Sequence, residues 1–296
     1  YAEAHANLGT ILIDLDKLQE AELSILKAIE LKPDFANAYS SLGQIFSGLG
    51  KSHEAFDSFM KAIEINPTLF EIYNSITRFL RDSDPSKLNK SKLKKILNVL
   101  LERNDIKHSE LFKAFNFLYR DELIINLKVL ELDFSKDKSS DLFINKNLII
   151  NALKKIIFLD PTLEKILTKA RQHICRQVAQ KEKSLTESQL NFSCALAEQC
   201  FLNEYVYSFN SEESDNVNII LENCKKGKTN ESNISILACY IPLYKLIDSI
   251  PSLQSINSTD KNFRDLVKLQ ITEPIREIEI SKQTNQIGLI NDEISK

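Results

Sequence analysis

The sequence predicts an all-α protein, in which a solenoid of helix pairs is followed by an irregular helical domain. Residues of matching size recur 34 positions apart near the N-terminal end, and apolar residues elsewhere follow helical spacing with little strand-like alternation. Glycine is scarce, at six in 296 residues, and only Gly227 and Gly288 lie beyond residue 50. Phosphate-binding loops and dinucleotide-binding turns need several glycines close together, so both are excluded.

The 34-residue period joins small residues with small residues and prolines with prolines. Leu8-Gly9 returns as Leu42-Gly43, and the other matched pairs are Ala21 with Ala55, Ala28 with Ala62, and Pro33 with Pro67. We expect the glycines and alanines to lie where two helices cross closely, because a larger side chain would hold the helices apart. The prolines end the second helix of each pair, since proline lacks an N–H and disfavours helix in the residue before it.

This pattern resembles the tetratricopeptide repeat, a pair of antiparallel helices that stacks into a solenoid. The predicted helices are 2–15, 18–31, 36–49 and 52–65, and a third, degenerate unit begins at Phe70. Tyr1 occupies the position of the repeat that Phe35 and Leu69 occupy in the next units. This indicates that the chain is a piece of a longer protein. We expect three regions: repeats over 1–83, a helical connecting domain over 84–258, and a helical linker over 259–296 towards an absent C-terminal domain.

Beyond the repeats, amphipathic segments predict further helices. They cover roughly 90–103, 109–131, 141–159, 163–180, 186–208, 214–226, 231–249 and 260–281. Thr186 with Gln189, Ser211 and Asp260 are start signals. Pro242 should kink or split the segment in which it lies.

Composition narrows the function. A formal charge of −3 argues against a nucleic-acid-binding protein, and no apolar stretch reaches membrane-spanning length. The five cysteines have no metal-type spacing, which favours reduced thiols buried in helices of a cytoplasmic protein. Neither a metal site nor a catalytic constellation is predicted, so we expect this chain to be non-catalytic and to hold no cofactor.

A peptide-binding groove is the candidate site, on the face formed by the first helix of each repeat. The expected groove residues are Asn7, Thr10, Asn37, Ser41, Gln44, Asn74 and Arg78. Hydroxyls and carboxamides there can pair with the backbone of an extended peptide. The alternative is a merely solvated polar face. The repeats also resemble the arrays of O-linked N-acetylglucosamine transferases. Those arrays carry a ladder of groove asparagines, of which only Asn7 is present in this chain.

A second resemblance lies in the C-terminal half. The stretches 198–207, 238–243 and 270–277 are similar to segments of bacterial tetratricopeptide-containing methyltransferase-like proteins, and 290–296 resembles the helix before their catalytic domain. The resemblance implies that an S-adenosylmethionine-dependent methyltransferase domain follows this chain, and none of its cofactor residues have counterparts here.

Three functions stay open from the sequence. The first is the protein-interaction part of a probable methyltransferase, with a protein or peptide as its partner. The second is a stand-alone interaction scaffold, and the third is the repeat array of a glycosyltransferase.

Overall fold

The computed structural model describes residues 1–133, 147–181 and 184–282. These residues form helices and turns, without a strand in any of the three ranges, which confirms the all-α prediction. The chain divides into two compact units, Tyr1–Asp121 and Glu122–Lys296. The sequence predicts domain boundaries near residues 83 and 258. The division into two compact units does not test these boundaries, so they stay predictions.

The first five helices follow the 34-residue period residue by residue. They are α1 (Ala2–Asp14), α2 (Leu18–Leu31), α3 (Ala36–Gly48), α4 (Ser52–Ile65) and α5 (Phe70–Asp82). α1 and α2 pack as one pair, α3 and α4 as the next, and α3 also packs on α2 of the preceding pair. Both predicted pairs are therefore present, each ending within one residue of the expected position.

Close contacts within each pair explain the small residues. A Cβ atom on Gly9 would lie 2.5 Å from Cδ1 of Ile25, and one on Gly43 would lie 2.8 Å from Cε1 of Phe59. The four matched alanines have no exposed surface: Ala21, Ala28, Ala55 and Ala62. Glycine and alanine thus let the two helices of a pair approach, while one large side chain fills the space between them.

The turn inside each pair repeats as well. Asp16 and Gly50, which are 34 residues apart, both have a left-handed backbone, with φ of 57° and 74°. The amides of Lys17 and Lys51, which follow them, donate to the carbonyls of Leu12 and Phe46. Since glycine adopts this backbone without strain, it is the more favourable residue at this step.

The third unit departs from the period after α5. Asp84 caps a 3-10 turn, Pro85–Lys87, and the next helix, α6 (Lys90–Glu102), starts four residues later than the period requires. Asn89 caps α6 by accepting from the amide of Lys92. The turn cluster around Pro85 therefore ends the regular repeat, as its composition indicates.

The remaining helices vary more in length and follow no common period. They are α7 (Phe112–Asp133), α8 (Asn147–Lys155), α9 (Pro161–Lys181), α10 (Glu187–Leu202), α11 (Ser211–Lys225), α12 (Glu231–Leu237) and α13 (Lys261–Val267). A turn of π-helix, Lys268–Thr272, continues α13 into a further helical stretch over 273–282. α10 is the centre of the second unit, where α8, α12 and α13 pack on it, while α9 packs on α11. Its buried side chains extend around the whole helix, from Gln189 to Cys200.

Several predicted boundaries need correction. The segment expected over 231–249 is helical only to Leu237 and then turns, with 3-10 turns at Leu243–Leu246 and Pro251–Ser255 on the far side of Pro242. The segment expected over 186–208 ends at Leu202, because Glu204 and Tyr205 have left-handed backbones with φ near 60°. The start of the segment at 141 and the stretch 290–296 lie outside the described residues.

Two of the predicted helix-start signals are present in the structure. Thr186 and Gln189 form a reciprocal capping box at the start of α10, and Asp260 accepts from the amide of Phe263 at the start of α13. The cap of α11 is Asn210 rather than Ser211, because its partner in the capping box is Glu213, three residues further on.

Candidate functional site

The predicted groove residues all lie on the first helices of the repeats. Asn7 and Thr10 are on α1, Asn37, Ser41 and Gln44 on α3, and Asn74 and Arg78 on α5. Five are exposed, whereas Ser41 and Asn74 are half-buried. The 34-residue period aligns them in rows across the helices, of which Thr10, Gln44 and Arg78 form the clearest. Each row therefore crosses α1, α3 and α5 in turn.

A hydrogen bond joins two of these helices on this face. Nε2 of Gln44 on α3 donates to Oγ of Ser75 on α5 over 3.4 Å. Thr10, by contrast, donates to the carbonyl of Ala6 in its own helix. The face is thus continuous between α3 and α5, and the amide of Gln44 keeps further hydrogen-bonding capacity for a ligand.

Charged side chains lie on α1 and α5, whereas α3 has none. Glu3 of α1 lies 3.3 Å from Lys32, and hydrogen bonding to its own backbone amide, together with the Lys32 ammonium, lowers the pKa of Glu3. At the other end, the Arg81 guanidinium holds the pKa of Asp82 below its usual range. Asn7, Ser41 and Gln44 lie between Glu3 and Arg81 in the sequence, and their side chains are neutral. Neutral polar groups suit hydrogen bonding to a peptide backbone.

The segments that resemble methyltransferase-like proteins meet at one buried glutamine. Gln270 is fully buried, and its Nε2 donates to the carbonyls of Ala197 and Ala238 over 3.1 and 3.3 Å. Its Oε1 accepts from the hydroxyl of Tyr205 and the amide of Leu243. A turn of π-helix, Lys268–Thr272, carries Gln270. One amide thus joins all three segments, which explains why this polar residue is buried.

A cavity of about 830 Å³ opens beside these segments. Its apolar lining consists of Phe201, Leu202, Tyr205, Pro242, Tyr244, Pro274 and Ile278. Glu204, Glu277, Lys245, Ser281 and Lys282 supply its polar groups. The volume lies in the range of small-molecule sites, and the lining suits an apolar group with a polar end. Helical spacing does not predict this cavity, although stretch 198–207 contains four of its residues.

Two buried ion pairs lie in the same unit. Arg171 and Glu213 are 2% exposed each, 3.1 Å apart, and the hydroxyl of Tyr240 donates to the same Glu213 oxygen over 2.8 Å. Lys154 contacts both Glu198 and Asp265 over 3.2 Å. Burial raises the pKa of Glu198 to about 7, against the opposing effect of Lys154. Helical periodicity alone gave no signal for these pairs, because their partners are 42 and 44 residues apart.

The cysteines all lie in the second unit. All five have free thiols and are buried: Cys175, Cys194, Cys200, Cys224 and Cys239. Within the described ranges, no three His, Cys, Asp or Glu side chains are grouped so as to hold a metal ion. No described helix combines the length and the apolar character that crossing a membrane requires.

Comparison with known proteins identifies the N-terminal repeats. The family model described as the tetratricopeptide repeat matches residues 2–35 and again 36–69. These ranges contain the α1–α2 and α3–α4 pairs, so the chain carries two tetratricopeptide repeats. No curated protein matches the chain. Tetratricopeptide repeats generally bind protein or peptide partners, which makes this part of the chain an interaction scaffold.

Proposed function

We propose that the first unit holds an extended segment of a partner protein on the face formed by α1, α3 and α5. The observation that carries this proposal is the recurrence of exposed polar side chains at one position of the repeat in α1, α3 and α5, which are Thr10, Gln44 and Arg78. Their amide and hydroxyl groups pair with backbone N–H and C=O groups, whatever the side chains of the peptide. Arg78 adds a preference for a carboxylate at one end of the segment.

A selection from a library of random extended peptides tests this proposal. We expect the selected peptides to bind the chain by fluorescence anisotropy, and to lose at least about tenfold in affinity, 1.4 kcal/mol, when four groove residues are changed together. These changes are Asn7→Ala, Gln44→Ala, Asn74→Ala and Arg78→Ala. The matched control changes four exposed charges on the second helices, which are Lys27→Ala, Glu30→Ala, Lys61→Ala and Glu64→Ala. Equal binding by the groove variant and the control would refute the proposal.

A finer proposal is that the bound segment is presented to an S-adenosylmethionine-dependent methyltransferase domain of the same parent protein. It is supported by the contact of the three resembling segments at Gln270, since they form one structural element rather than scattered similarities. The cytoplasm would be the compartment of such a protein.

Isothermal titration with S-adenosylmethionine tests the finer proposal, on this chain and on the parent protein at its natural length. We expect no heat of binding from the chain and micromolar binding from the parent. A folded parent that shows no binding would refute it and leave the scaffold role.

A further inference from the structure

Irregular backbone borders the cavity of about 830 Å³ on two sides. On one wall, Glu204 and Tyr205 have left-handed backbones, with φ of 56° and 60°. On the other, the π-helical turn Lys268–Thr272 comes shortly before the lining residues that begin at Pro274. Left-handed residues other than glycine and turns of π-helix are both rare, and both recur at functional sites. Their position on two walls of one cavity indicates a binding site.

The two walls are joined at their base. The Tyr205 hydroxyl lies 3.1 Å from the carbonyl of Ala238 and 3.3 Å from Oε1 of Gln270 in the π-helical turn. Ala238 and Gln270 have no exposed surface. Because its hydroxyl is bonded to these buried groups, Tyr205 presents its ring to the cavity rather than a polar group. The irregular backbone on both sides is thus fixed by one hydrogen-bonded cluster.

One face of the helical stretch 273–282 supplies one wall. Its lining residues are Pro274, Glu277, Ile278, Ser281 and Lys282. Their spacings of mainly three and four residues place them on one side of a helix. Ile278 is 41% exposed. This wall therefore offers an aliphatic side chain, a carboxylate and an ammonium group.

The opposite wall has the same kinds of charge beside aromatic rings. Phe201, Tyr205 and Tyr244 line it, and the rings of Phe201 and Tyr205 meet edge to face at 6.4 Å. Glu204 adds a carboxylate, and Lys245 adds an ammonium group that lies 5.9 Å from the centre of the Tyr244 ring. Aromatic faces beside carboxylates suit an alkylated ammonium group, whereas lysines suit an anion such as phosphate.

The charged groups of the cavity are available to a ligand. They are Glu204, Lys245, Glu277 and Lys282, all of them exposed. Within the ranges that the structure describes, none of the four forms an ion pair. Two carboxylates and two ammonium groups make the lining neutral as a whole, so a ligand of one charge meets repulsion as well as attraction. A ligand that carries both charges can be complementary to all four groups.

We propose that this cavity binds a zwitterionic amphiphile, a small molecule with an apolar body, an alkylated ammonium group and an anionic group. The apolar body lies against Leu202, Ile278 and the proline rings. The ammonium group lies between the aromatic rings and the two carboxylates, and the anionic group reaches the two lysines. The volume is within the range of about 300–1,000 Å³ that is typical of small-molecule sites. Such a site lies within the second unit and is independent of the peptide groove.

Isothermal titration of the 296-residue chain tests the proposal with three ligands that share one alkyl chain. They are n-octylphosphocholine, n-octyltrimethylammonium and n-octyl phosphate, each below the concentration at which it forms micelles. We expect the phosphocholine to bind at least about threefold tighter than either singly charged ligand, because only it satisfies both kinds of charge.

Two double variants separate the two charges. Glu204→Gln with Glu277→Gln should remove the advantage of the phosphocholine over octyl phosphate. Lys245→Gln with Lys282→Gln should remove its advantage over octyltrimethylammonium. Since all four side chains are exposed, both variants should keep the circular dichroism spectrum and the melting temperature of the original chain.

Matched variants on the stretch 273–282 serve as controls. Glu273→Gln with Glu279→Gln removes two carboxylates outside the lining and should leave all three affinities unchanged. Ile278→Ser should weaken all three ligands by a similar factor, because they share the octyl chain. Ile280→Ser, outside the lining, should not weaken them.

A free molecule is expected, rather than a lipid held in a membrane, because the apolar body and the charged groups occupy the same cavity. The chain should therefore not sediment with phosphatidylcholine vesicles. Sedimentation with them would overturn the proposal, since the ligand would then be a membrane surface.

Three results of the titrations would also overturn it. The first is a folded chain that does not bind octylphosphocholine at millimolar concentration. The second is a singly charged ligand that binds as tightly as the phosphocholine. The third is a preference for the phosphocholine that both double variants retain.

Discussion

Gly43 of α3 lies so close to Phe59 of α4 that a Cβ atom would come within 2.8 Å of the ring. Gly9 has the same relationship with Ile25 in the preceding pair, at 2.5 Å. The larger side chain differs, but the glycine does not. The space between the helices is thus filled from one side in both pairs, and the glycine is the fixed part of the arrangement.

A larger side chain between the paired helices should destabilise the first unit. Gly43→Leu forces the buried ring of Phe59 to move, and Ala55→Leu adds volume at a position without exposed surface. We expect each to lower the free energy of unfolding by about 1–3 kcal/mol, despite the higher helix propensity of leucine than of glycine. Urea unfolding followed by circular dichroism measures it. Ser47→Leu, on the exposed side of α3, is the control, and equal stability of all three variants would show that the helices do not pack closely.

The buried pair of Arg171 and Glu213 should affect stability far more than the exposed pair beside it. Glu213→Gln leaves the Arg171 guanidinium buried without a counter-charge, which typically lowers stability by about 3–5 kcal/mol. Arg176 and Glu212 form a pair on the same two helices with about half of each side chain exposed. Glu212→Gln should therefore have little effect. Chemical denaturation measures the free energy of unfolding of both variants. Similar losses of stability in the two variants would contradict the burial of the Arg171–Glu213 pair.

Glu198 should make stability depend on pH. Its pKa is about 7 in the folded protein and near 4.5 when unfolded, so the folded state binds the proton more tightly. The resulting stability is fully present below pH 4.5 and is lost as pH rises through 7, by up to about 3 kcal/mol. Glu198→Gln should abolish this part of the profile, as measured by urea unfolding from pH 4.5 to 8. Parallel profiles of the variant and the original protein would be inconsistent with it.

The thiols should react slowly until the protein unfolds. Burial raises the pKa of Cys175 and Cys224 to about 11, and it also raises the pKa of Cys194 and Cys239 well above the usual value of a thiol. A hydrogen bond with Cys239 lowers the pKa of Cys200, but Cys200 has no exposed surface. We expect a thiol-reactive dye at pH 7.5 to label fewer than one cysteine per native chain on the timescale that labels all five in guanidinium. Rapid labelling of Cys200 in the native state would show that the second unit opens readily.

The sequence predicts the repeats well because their constraints are local and periodic. Gly9 and Gly43 each face a large side chain of the same helix pair, and the turn residues Asp16 and Gly50 repeat at the same distance. Capping boxes such as Thr186 with Gln189 also depend on residues only three apart. Interactions of short range are those that spacing can reveal.

The second unit depends on contacts of long range, which spacing does not reveal. Gln270 donates to Ala197 and Ala238, which are 73 and 32 residues away, and Arg171 reaches Glu213 over 42 residues. The early end of α10 follows from the left-handed backbone at Glu204, where no glycine or proline signals a stop.

Hydrogen exchange of the chain with and without a selected peptide tests the central claim most directly. If the peptide lies in the groove, backbone amides of α1, α3 and α5 should exchange more slowly in its presence. α2 and α4 should change less, and the helices of the second unit should not change. Protection that is confined to residues 122–282, with none on α1, α3 or α5, would contradict the account.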